Sequence, residues 1–93
     1  MIERNGERLL VMAPLTMVNA RGLLDAGRDA LLPGQQIFDF SQVNEADSSA
    51  IVVMLGWLRS AEGIQASIRF AGIPAGVLSL AELYGVAELL PLA

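Results

Sequence analysis

A chain of 93 residues has length for one domain and one core. Lys+Arg 6 against Asp+Glu 10 leaves a net charge of −4, and the few cations are scattered, which argues against a nucleic-acid partner held by clustered basic residues. The absence of Cys and His excludes disulfides, thiolate nucleophiles, imidazole bases and the usual zinc ligands and leaves only a metal held by carboxylates formally open; no metal site and no cofactor are expected.

The N-terminus, MIERNGER, lacks the apolar core of a secretory signal. Asn5-Gly6 lies between charged pairs and suits the positive φ angles of a tight hairpin, which predicts paired strands over 2–5 and 8–13. The second strand is apolar from Leu9 to Ala13, the pattern of a strand covered on both faces, and Pro14 ends it. Thr16 is placed to cap a helix over about 17–31, with Ala20, Leu24, Gly27 and Leu31 on one face and Arg21, Asp25, Arg28 and Asp29 on the wet side. Pro33-Gly34 breaks it, and Ile37 to Phe40 reads as a short strand. A helix over 49–62, stopped by Gly63, contains the longest apolar run, Ala50 to Leu58, about half of the roughly 18 residues that suggest a membrane span. Gln65 to Phe70 alternates polar with apolar as a half-exposed strand does, and Pro74 opens a third helix that stops near Gly85.

The order ββαβαβα predicts an α/β fold over residues 1–93 with a mixed, mostly parallel sheet flanked by helices. Sites in such sheets gather beyond the carboxyl ends of the strands, where Glu45-Ala46-Asp47-Ser48-Ser49 lies.

"DFSQVNEADSSAIVVML", Asp39 to Leu55, resembles the signature of STAS domains: Asp, a bulky apolar residue, Ser, a valine two positions on, then Asp-Ser/Thr before an apolar helix. "LAELYGVAELLP", Leu80 to Pro91, is similar to one branch of that family, the small cytoplasmic STAS subunit of the Mla phospholipid ABC transporter. Ala50 departs from the pattern, standing where many members have Gly. The resemblance implies a STAS fold and a non-catalytic subunit that binds and regulates or stabilises the transporter's ATPase. Such a subunit is cytoplasmic and reaches the inner membrane only through the complex. Other family members are anti-sigma factor antagonists, in which a partner serine kinase phosphorylates a loop Ser. That alternative implies Ser49 or Ser48 as the modified residue.

Asp47 is read first as a helix cap, and an added phosphate at Ser48 or Ser49 would meet the positive end of the helix. Along the following helix, Ile51, Met54, Leu55 and Leu58 form a stripe for the sheet, with Val52 expected under neighbouring elements. Gly56 and Trp57 are expected to meet a partner, since Trp is enriched at binding hot spots and Gly permits close backbone approach. The expected partner surface comprises Glu45, Asp47, Ser48, Ser49, Val53, Gly56 and Trp57. Asp39 and Ser41 are read as satisfying loop amides, and Leu80, Leu83 and Tyr84 chiefly as core. With no Walker A sequence, no G-x-G-x-x-G and no nucleophile–base pair, no enzyme activity is expected.

Overall fold

The computed structural model describes residues 1–93. Two strands, β1 (Ile2–Asn5) and β2 (Arg8–Val11), form the N-terminal hairpin, followed by α1 (Ala20–Ala30), β3 (Gly34–Asp39), α2 (Ser49–Gly63), β4 (Ala66–Ala71) and α3 (Ala75–Leu83). A short 3₁₀ turn, Ala87–Leu89, follows α3. The sheet runs β1-β2-β3-β4, with β1 antiparallel to β2 and the other pairings parallel. Gly6 at φ 65° supplies the left-handed turn residue that the hairpin requires.

Alternation along the strands sorts the two faces of the sheet. Leu9, Val11, Phe38, Phe40, Ile68 and Phe70 point into one core with Leu23 of α1, Met54 and Trp57 of α2, and Val77 and Ala81 of α3. The opposite face shows Arg8, Leu10, Ile37, Asp39, Ser67 and Arg69, none of them buried. The helices therefore cover one face, and the expectation of a β2 covered on both sides is corrected. With the chain progressing in one direction across the sheet, right-handed crossovers put every helix on the same side.

Boundaries shift where tertiary partners intervene. β3 begins at Gly34, three residues before the first apolar residue of the predicted strand, because it pairs with β4 along its whole length. The inward Gln36 is 2% exposed, and its amide is fully used. Oε1 accepts from the Leu32 N–H at 2.9 Å and from Arg4 Nη2 at 3.2 Å, while Nε2 donates to the Leu32 carbonyl. A buried amide so paired escapes the penalty of an unsatisfied polar group. At the other edge, the Phe70 N–H donates to the Pro91 carbonyl at 2.8 Å and the Ala93 N–H to the Phe70 carbonyl at 2.9 Å, so the C-terminal segment lies along β4.

Trp57 fills the centre of the core. Its ring stacks on Phe38 with centroids 4.0 Å apart and planes 6° from parallel, and its Nε1–H donates to the Leu23 and Leu24 carbonyls of α1, each at 3.2 Å. Gly27 makes this possible: a Cβ there would lie 2.1 Å from Trp57 Nε1. The contact is reciprocal one turn away, where a Cβ on Gly56 would lie 2.6 Å from Leu24 Cδ1. The two glycines let α1 and α2 approach closely, with a large side chain of each helix over the glycine of the other.

Candidate functional site

The loops after β2 and β3 meet beyond the carboxyl ends of the strands. Leu15 and Ala46 form a parallel bridge: the Leu15 N–H donates to the Glu45 carbonyl at 2.9 Å and the Asp47 N–H to the Leu15 carbonyl at 3.0 Å. Asp47 then uses both carboxylate oxygens. Oδ1 accepts from the Ser49 N–H at 2.8 Å, capping α2, and Oδ2 accepts from the Met17 N–H at 3.0 Å. The Met17 and Ser49 amides hold the Asp47 carboxyl below its ordinary pKa, because they bond its charged form.

Capping by Asp47 agrees with the sequence reading, and its carboxylate takes one of the amides at this helix start. The N–H groups of Ala50 and Ile51 donate to the carbonyls of Asp47 and Ser48, and that of Ser49 is taken by the Asp47 carboxylate. The N–H groups of Ser49, Ala50 and Ile51 thus already have partners within the chain. Ser48 is exposed and Ser49 half-buried.

The outer side of α2 is not the one expected. Val53 and Trp57 are 1% and 0% exposed, so neither can meet a partner on the folded domain. Gly56 receives Leu24 of α1 and not a partner backbone. The physical reason is that this face of α2 turns inward, Trp57 stacking on Phe38 of β3 and bonding the α1 carbonyls, with Val53 buried one turn before it. Val52, expected to be covered, is 66% exposed and stands one turn beyond Ser48.

Two further residues join the surface. Met17 and Val18 are 77% and 92% exposed, on the turn that replaces the predicted first turn of α1. That turn is built rather than loose: the Asn19 N–H donates to the Thr16 carbonyl at 3.0 Å, Asn19 Nδ2 donates to the Pro14 carbonyl at 3.0 Å, and Asp47 holds Met17. Sequence reading missed them by assigning residues 17 and 18 to an amphipathic helix; the signal was their adjacency as two apolar residues before Asn19. Glu45 is exposed at the rim.

Asp39 and Ser41 serve the structure. The Ser41 N–H donates to Asp39 Oδ1 at 2.8 Å, and Arg8 Nη1 reaches Oδ2 at 2.9 Å. Both lower the pKa of Asp39, the Ser41 amide most. Leu83 and Tyr84, read as core, are 77% and 55% exposed because α3 buries only Val77 and Ala81. No helix is long and apolar enough to cross a membrane. The arrangement at the 15–19 and 45–52 segments offers apolar side chains on a pinned backbone, which suits protein docking.

The profile of the family described as "Mlab, STAS domain" matches residues 2–91. No curated protein matches. Among solved structures, the fold is similar to the crystal structure of a "putative anti-sigma factor antagonist" from Thermotoga maritima, with a TM-score of 0.74 at 15% identity. That superposition covers 99% of this chain and 83% of the other, and at such identity it speaks for the fold alone. From the Asp-Ser-Ser loop on its capped helix to the profile spanning nearly its whole length, the chain belongs to the STAS domain family.

Proposed function

We propose that this chain is a non-catalytic subunit that docks on the cytoplasmic ATPase of a phospholipid-transporting ABC system and regulates or stabilises it. It resides in the cytoplasm and is peripheral to the inner membrane through that complex. The family description supports the transporter branch. The observation that carries the docking is the exposed apolar set Met17, Val18 and Val52 around Asp47, Ser48 and Ser49. Such a subunit shifts the ATPase between conformations only by the difference in its affinity for them.

The second reading is an anti-sigma factor antagonist with Ser48 or Ser49 as a phosphoswitch, favoured by the exposed Ser48 at the start of α2. The occupied first-turn amides and the nearby Glu45 and Asp47 carboxylates make a phosphate less welcome there.

Affinity capture of the tagged chain from its native host, with intact-mass measurement, separates the two. The transporter reading expects an unmodified chain copurifying with an ABC ATPase. Stoichiometric phosphate at residue 48 or 49 that governs release of a serine kinase would overturn it.

A further inference from the structure

The Asp47 side chain hydrogen-bonds to both halves of the exposed surface. Its Oδ2 accepts the Met17 N–H across 30 residues of chain, and its Oδ1 accepts the Ser49 N–H at the start of α2. Resting on the docking reading above, we propose that Asp47 is a positioning residue for partner binding: its carboxylate clamps the Met17–Val18 turn to the α2 N-terminus and so fixes Met17, Val18 and Val52 as one preorganised surface.

Three observations support the clamp. Met17 and Val18 are 77% and 92% exposed, and the Asn19 bonds to Thr16 and Pro14 shape the turn from within without tying it to α2. The backbone bridge Leu15↔Ala46 aligns the two segments but ends at Leu15, two residues before Met17. Beyond it, the Asp47 carboxylate is the bond that reaches from the loop after β3 to the turn. An ionised carboxylate can accept from both amides at once, whereas an Asn carboxamide offers one acceptor oxygen and turns an NH₂ donor toward the second N–H. A Ser at position 47 can still cap α2, its hydroxyl being a good N-cap acceptor, but its shorter side chain serves one amide only. Ordering an exposed turn before binding removes part of the cost of immobilising it in the complex, which is the gain expected from preorganisation.

The test uses the full chain and the ABC ATPase recovered in the capture experiment. Affinities are measured for wild type, Asp47→Asn, Asp47→Ser, the pair Met17→Ser plus Val18→Ser, and that pair combined with Asp47→Ser. Amide hydrogen exchange is followed at Met17 and Ser49. The clamp expects Asp47→Ser to speed exchange at Met17 while sparing Ser49, and to weaken binding by about ten-fold with the thermal transition retained. In the Met17→Ser plus Val18→Ser background, Asp47→Ser should weaken binding by less than about three-fold, because the surface it positions is gone. The same ten-fold loss in both backgrounds would overturn the inference in favour of direct contact between Asp47 and the partner. Unchanged Met17 exchange and unchanged affinity in both Asp47 variants would overturn it while leaving the docking reading intact. Full affinity in the Met17→Ser plus Val18→Ser variant would remove the turn from the interface and overturn the inference with it. If Asp47→Ser fails to fold, Asp47→Asn carries the same comparison.

Discussion

Gly27→Ala is the sharpest perturbation of this fold, because an ordinarily stabilising substitution should here do the reverse. In an open helix interior the change gains about 1 kcal/mol through backbone propensity. At position 27 the new Cβ would lie 2.1 Å from Trp57 Nε1, 2.4 Å from Cε2 and 2.9 Å from Cδ1. Ordinary contact needs more than about 3.4 Å, so the indole or α1 must retreat by more than an ångström in a close-packed core. The indole is wholly buried and already stacks on Phe38 at 4.0 Å, so its displacement disturbs a packed neighbour. Overpacking of this kind costs about 1–3 kcal/mol. Displacing the indole also breaks its bonds to the Leu23 and Leu24 carbonyls, and a buried donor left unpaired costs about 1–3 kcal/mol more. Set against the propensity gain, the net loss is about 1–5 kcal/mol, or roughly 5–30 °C in Tm for a domain of this size. Gly76 in α3 is the control: nothing lies within 4 Å of its would-be Cβ, so Gly76→Ala should gain about 0.5 kcal/mol. Urea titration followed by the fluorescence of the single Trp reads both variants. A Gly27→Ala protein as stable as wild type, or stabilised like Gly76→Ala, would refute the packing argument.

Trp57→Ala should cost about 3–5 kcal/mol of stability, as a buried aromatic does; a folded variant of wild-type stability would return Trp57 to the surface. Gln36→Ala should lose about 2 kcal/mol by stripping the Leu32 N–H and Arg4 of their acceptor, measured by the same titration. Asp39 and Asp47 both have lowered pKa values in the folded state, so the unfolded chain takes up protons first as the medium acidifies. Their contribution is present above the ordinary Asp range of about 3.9 and is lost as pH falls below it through the lowered values. Denaturation midpoints should therefore fall through that window, and Asp39→Asn should shallow the slope. Val52→Ser should leave the thermal transition within about 0.5 kcal/mol of wild type while weakening ATPase capture, since the side chain is mostly in solvent.

By itself the sequence determined the order of elements, the hairpin at Asn5-Gly6, the helix start at Asp47 and the kinship carried by Asp39 to Leu55. These are local matters of turn chemistry, capping and periodicity, which a short window of residues contains. Gln36 shows where such windows stop: pairing with Ile68 of β4 makes it strand, and its amide's bonds to Leu32 and Arg4 let it be buried there, neither of which a short window contains. The surface depended on tertiary structure still more. An α2 apolar nearly all round cannot announce which side faces out, so Trp57 and Val52 were distinguishable only once α1 had seated on Gly56 with Gly27 over the indole. Met17 and Val18 passed for the opening of an amphipathic helix until the Asp47 carboxylate, 30 residues away, claimed the Met17 amide and held the turn outside it. Side-chain direction on a helix and the fate of a loop are set by what packs or bonds from a distance, and that information is absent from any local stretch of chain.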